Sequence, residues 1–184
     1  MTRRFSNTLA MATAVLALAY LSLMVLVGEL PGQSQLVRFE ARGIMQVPPE
    51  QIDRVELVQG EQKVLLHRDR EAARWIGVDG SAVSMEAGRH LAMAVQMMNT
   101  SAPVKELPEE ELIGVDHGPF GLDAPAVQAG LYRGQAIVMQ ARFGGINPEG
   151  YLQYMAVAGD PRVFLMSRFV GAEWRMAADA VFGR

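Results

Sequence analysis

The chain has no cysteine among its 184 residues. Disulfide frameworks, thiolate metal sites and cysteine nucleophiles are therefore excluded. Histidine is scarce: there are three, His67, His90 and His117, and none falls into HExxH, HxH or another ligand spacing. His67 reads as the polar side of a strand and His117 as part of a Gly/Pro loop, both surface positions. No GxSxG nucleophile elbow is present. Asp116-His117 gives no base with its orienting acid, because adjacent residues do not ordinarily point together. The phosphate-loop pattern GxxxxGK[ST] is also missing. Gly144, Gly145 and Gly150 surround Asn147-Pro148-Glu149, and they read as glycines supplying positive φ in a β–β loop, a kind of loop that can still carry binding residues.

Basic charge is short as well. Once Arg3 and Arg4 are set aside with the N-terminal segment, 15 Lys+Arg face 20 Asp+Glu, a net of −5. That balance lacks the basic footprint of a nucleic-acid binder and does not favour anionic lipid.

One stretch has no charge at all. Leu9 to Val27 runs nineteen residues without a charge or a proline, roughly 28 Å as a helix, enough to cross a bilayer core. Arg3 and Arg4 precede it and Glu29 follows, so the positive-inside bias puts the N-terminus in the cytoplasm and the bulk outside. The competing reading is a cleaved signal peptide ending at Ala17-Leu18-Ala19. It would leave the apolar YLSLMVLV on the mature chain, and nothing like Ala-x-Ala follows Val27 to end a longer signal. The uncleaved anchor is the preferred expectation, and its alanine-rich make-up suggests a bacterial inner membrane. Residues 1–28 are then the transmembrane anchor, 29–51 a linker, and 52–184 one extracytoplasmic domain large enough to bury a core without metals or disulfides. Within the linker, Leu36 to Met45 is either a first strand or an extended tether, and Glu29 to Gln35 is a spacer with a reach of about 15 Å.

From Ile52 the pattern has period two. Val55 and Leu57 alternate with polar residues, Gly60-Glu61 turns, and Val64 and Leu66 alternate again, which predicts a β-hairpin. Ala73 to Val78, around Trp75, is a third strand. Ser84 to Asn99 is a helix with Ser84 as N-cap and Glu86 in its first turn. Its core stripe is Ala87, Leu91, Ala94, Val95 and Met98. Val104 to Leu107 reads as a short strand, followed by one helical turn at Glu109–Leu112. Then come strands at Ala126–Tyr132 and Gln135–Phe143, with Ile137, Met139 and Ala141 on one side. A loop spans Gly144–Gly150, and a hairpin joins Tyr151–Ala158 to Arg162–Met166. A last helix, capped by Ser167, presents Trp174 and Phe169 to the sheet. Antiparallel β-hairpins with helices packed on one face give an α+β class. Gly60 and Gly134 sit at equivalent turns 74 residues apart, which suggests an internal ββ(β)α duplication.

The predicted helix carries a second stripe. Glu86, His90, Met93 and Met97 stand at i, i+4, i+7 and i+11, in a chain with 12 methionines. Thioether and imidazole suit Cu(I), which makes these four metal candidates. Methionine is also common at protein-binding surfaces, which makes Met93 and Met97 candidate partner contacts. In the anchor, the small residues Ala10 and Ala14 would let another helix approach closely.

Several segments together carry a resemblance. Phe120-Gly121-Leu122-Asp123-Ala124-Pro125 leads into a strand, a Gly turn and a second strand. Val163-Phe164-Leu165-Met166 follows downstream. Upstream, Ile52 to Leu57, Leu65-Leu66-His67-Arg68 and Trp75 come in the matching order. Over roughly Ile52 to Val170 the chain resembles an uncharacterised bacterial envelope domain family, found beside or fused to ABC-transporter components of the gliding-motility type. The family usually has Tyr where this chain has Phe120, and many members are longer by what would be a further lobe. The resemblance implies an envelope location and an accessory, non-enzymatic role, and it brings no catalytic residues or cofactor. The expected function is an accessory or scaffold subunit of a membrane complex. The alternatives are a solute- or metal-binding extracytoplasmic domain and an envelope hydrolase without a recognisable motif.

Overall fold

The computed structural model describes residues 11–20, 22, 43–69, 71 and 74–183. The chain divides into two units, Met1–Glu40 and Ala41–Arg184. In the first, residues 11–20 form a helix, α1, whose side chains are exposed, Ala14 among them. Arg3, Arg4, Ala10, the spacer Glu29–Gln35 and the rest of the expected Leu9–Val27 span lie outside the described residues. Among those described, no helix is long and apolar enough to cross a membrane.

The second unit is α+β. Its strands are β1 (Arg54–Gln59), β2 (Gln62–Asp69), β3 (Arg74–Gly77), β4 (Lys105–Leu107), β5 (Val127–Arg133), β6 (Ala136–Ile146), β7 (Leu152–Val157) and β8 (Val163–Ser167). They form one eight-stranded antiparallel sheet in the order β3-β2-β1-β5-β6-β7-β8-β4. Helices α2 (Met85–Thr100) and α4 (Arg168–Phe182) pack on one face, and the short α3 (Glu109–Leu112) follows β4.

The period-two pattern explains the main core. Val55 and Leu57 on β1, Val127, Ala129 and Leu131 on β5, and Met139, Ala141 and Phe143 on β6 all face the helices. Residues alternating with them face away, as strand geometry requires. β8 differs, because its whole run Val163–Met166 is buried. Phe164 and Met166 join the main core, while Val163 joins a smaller cluster with Leu112 and Phe120 on the other side. The turns β1–β2 and β5–β6 use Gly60 and Gly134 at φ 60° and 59°, and β1 pairs antiparallel with β5 between them.

Three expectations are corrected here, on Ile137, on the loop Gly144–Gly150 and on Phe169. Ile137 does not share a face with Met139: it is 61% exposed, because the β5–β6 register shifts between Leu131 and Tyr132. The extra residue of such a bulge moves everything beyond it to the opposite face. The strand β6 does not stop at Phe143 but runs on to Ile146. Gly144 and Gly145 have no positive φ; of that group only Gly150 does, at 80°. Their role is close approach. A Cβ on Gly144 would collide with the carbonyl oxygen of Phe120, in the 3-10 turn Gly118–Phe120 that crosses the back of the sheet. Third, Phe169 does not face the sheet; it is 64% exposed. α4 buries Val170, Gly171, Trp174, Ala177 and Ala178 instead, and Phe169 is about 100° around the helix from Val170.

Candidate functional site

α2 begins as its sequence dictates. Ser84 Oγ accepts from the Ala87 N–H at 3.1 Å, and Glu86 lies in the first turn. Near its end Asn99 is buried and donates from Nδ2 to the carbonyls of Met45 and Val47 at 3.0 and 3.2 Å. α4 runs antiparallel to α2. His90 meets Glu173 midway along the pair, while Val83 and Ser84 share a cleft with Ala180 and Val181 at the far end.

The pair His90–Glu173 bridges the two helices from outside. Nδ1 lies 2.6 Å from the Glu173 carboxylate, with side-chain exposures of 15% and 13%. An ionised carboxylate only accepts, so Nδ1 carries the ring proton towards it. This pairing was not legible in the sequence, where the two residues stand 83 positions apart. Helical spacing places Met93 one turn from His90, and Phe169 and Met176 one turn to either side of Glu173. These apolar neighbours are 47%, 64% and 42% exposed. The outer surface of the helix layer thus carries exposed apolar side chains around the His90–Glu173 hydrogen bond. In an ordinary surface helix that side is polar.

The four copper candidates take different surroundings. Glu86 is exposed, His90 is bound to Glu173, Met93 is exposed, and Met97 packs against the main core. No group of three or more His, Asp or Glu converges as a metal site among the described residues. His67 is half-buried on β2 beside the core-facing Leu66. His117 bonds the Leu112 carbonyl through Nε2 at 3.0 Å and stacks on Phe120, so it fastens a loop. Asp116 accepts from the Gly118 N–H at 2.9 Å in the same loop. Across the sheet end, Arg162 clamps Asp160 and Glu106, and its hydrogen bond holds the Asp160 carboxyl below the ordinary carboxylate range.

Beside the stripe, a cleft of about 390 Å³ opens between α4 and the end of β6. Gly144 and Gly145 give it a backbone wall, and Phe169 and Ala172 an apolar one. Arg168 and Arg175 lie on its helix side. Arg168 donates to the Gly150 carbonyl at 3.2 Å and stacks on Phe169. Neither arginine has a carboxylate partner among the described residues. Gln153 lines the floor and is 7% exposed. Its Nε2 donates to the Gly144 carbonyl at 2.8 Å, while its Oε1, beside Gly171, has no donor. One sequence signal for this cleft, the double glycine, reads as turn chemistry, and the arginines spaced seven apart fall into no motif.

No known protein family, curated protein or solved structure matches the chain.

Proposed function

We propose that this protein is a non-enzymatic accessory or scaffold subunit of a bacterial inner-membrane complex, of the ABC-transporter kind. In this reading an uncleaved N-terminal span has its N-terminus in the cytoplasm and holds the α+β domain in the periplasm. The observation that carries it is the exposed apolar stripe of Met93, Phe169 and Met176 on the helix layer. Contiguous apolar surface on a domain's outside marks contact sites for other proteins. The uncharged run Leu9–Val27 and the resemblance to the envelope family support the location. The paired hairpins with their matching glycine turns support an origin by internal duplication.

A second reading, an extracytoplasmic ligand-binding domain, is favoured by the cleft beside α4, which combines apolar walls with a few polar groups in the usual way of small-molecule sites.

Co-purification in mild detergent tests the first reading. The native protein is expected to migrate with a larger membrane complex. Met93→Asp with Met176→Asp should release it while leaving its melting temperature close to wild type, because both side chains are exposed and a charge is costly only when buried at an interface. Met97 is unsuitable for this test because it packs against the core. Free monomer in native gels, or full association of the double variant, would rule the reading out.

A further inference from the structure

The domain's charge is unevenly spread. Residues 105–123 hold one lysine against six acids, a net of −5, which is the whole net charge of the chain once the N-terminal segment is set aside. This segment contains β4, α3 and the 3-10 turn behind the sheet. Its acids surround apolar side chains that face water: Ile113 is 78% exposed, and Val115 follows two residues on, also exposed. Glu106 is held by Arg162 and Glu111 by Lys105, whereas Glu109 and Glu110 have no cationic partner among the described residues.

The helix layer is the reverse. Two of its acids are engaged, Glu173 with His90 and Asp179 as acceptor from Gln59 Nε2 at 2.6 Å, and Glu86 stands apart at the start of α2. Arg89, Arg168 and Arg175 are exposed and have no carboxylate partner among the described residues. Helical spacing sets their order across the face. Arg89 precedes Met93 by one turn of α2. Arg168 and Arg175 stand about 100° around α4 from Phe169 and Met176, on the flank away from Glu173 and hence from α2. The apolar side chains therefore have arginines on both sides. Aromatic residues, Met and Arg are the types enriched where proteins touch.

We propose that the helix layer of one copy of this chain docks on residues 105–123 of a second copy, head to tail. This names the occupant of the contact face and rests on the reading of that face given above. The two surfaces match in two respects. Met93, Phe169 and Met176 meet Ile113 and Val115, and the arginines meet Glu109, Glu110 and Asp116. Apolar burial supplies the affinity, and the charges select the partner and its orientation. Pairing two helix layers symmetrically would set arginines against arginines, and like charges across an interface are costly. The two surfaces lie on opposite sides of the sheet, so one molecule cannot satisfy itself. A contact between unlike faces leaves each pair with a free face of either kind, and the contact repeats into a ring or a row.

The test uses the full chain in dodecyl maltoside, which is uncharged, followed by sedimentation equilibrium. Self-association should weaken by about tenfold or more on going from low to high salt, because exposed charges are screened. Arg89→Glu with Arg175→Glu should abolish it, and so should Glu109→Lys with Glu110→Lys. All four side chains are exposed, so both variants should melt close to wild type. Mixing the two reversed variants should restore association, since each then offers the charge the other lacks. The neutral pairs Arg89→Gln with Arg175→Gln and Glu109→Gln with Glu110→Gln should weaken association, with no rescue on mixing; they decide the matter if a reversed variant fails to fold. A chain that stays monomeric at every salt concentration overturns the proposal. So does association that survives the substitutions, as contact through the N-terminal span would, or reversed variants that fold but do not rescue each other. If self-association fails while the protein still migrates with other subunits of a membrane complex, this proposal falls and the scaffold reading stands.

Discussion

α2 and α4 lie side by side on the same sheet face and begin in opposite ways. α2 starts from a working cap at Ser84 with an acid one turn in. α4 starts from an idle serine with an arginine after it. One helix is stabilised at its end by its own sequence. The other relies on what it buries, including a fully covered Trp174. The lesson is that helix ends and helix faces can be specified separately. Where the end is left unsatisfied, the face must hold the element in place, and the end is left free for another use.

The largest expected effect comes from removing that face. Trp174→Ala should cost about 3–5 kcal/mol, read by urea denaturation, because the side chain is entirely buried and stacks 6.3 Å from Phe143. A loss below about 1 kcal/mol would show that α4 is held by something other than its core stripe. Next comes the pair of caps. Ser84→Ala should cost about 1 kcal/mol, whereas Ser167→Ala, which removes no cap bond, should leave the unfolding midpoint unchanged. Equal losses at the two serines would erase the contrast. The smallest effect is a gain. Arg168→Glu places an acid at the positive helix end and should raise stability by about 0.3–1 kcal/mol, less whatever the bond to Gly150 contributes. A loss of stability in this variant would show that the start of α4 is not governed by the helix dipole.

Much of this fold was legible because its cues are local. Glycine turns at Gly60 and Gly134, alternation along β1 and β2, and the Ser84 cap each act within a few residues. What escaped depends on distant segments. The pairing of β4 with β8 joins Lys105 to Leu165 at the far edge of the sheet, and no periodicity encodes that. The bulge opposite Leu131 reversed Ile137, and a pattern reading that assumes unbroken register cannot see it. The double glycine looked like turn chemistry, whereas its cause is the backbone of residues 118–121 pressing on the sheet from behind. Phe169 was assigned to the core on hydrophobicity alone; the 3.6-residue period measured from Val170 and Trp174 would have turned it outward. For the site, the stripe through His90 and Met93 was readable from helical spacing. The partner Glu173 and the cleft floor at Gln153 were not, since both depend on how elements far apart in sequence come together.

The knot at the end of α2 has a mechanical consequence. Gly43 N–H bonds the Asn99 carbonyl at 2.8 Å, Met45 N–H bonds that of Met98 at 2.9 Å, and the Asn99 side chain reaches two more carbonyls. A Cβ on Gly43 would strike the Asn99 backbone, so the chain is clasped tightly at that point. Any tug arriving along the chain from the N-terminal side is met first by these four bonds sharing the load, and only then by β1 in the middle of the sheet. The clasp acts as a strain relief, like the grip on a cable where it enters a housing. Residues 43–47 are in this way fastened to the end of α2 before the chain enters β1.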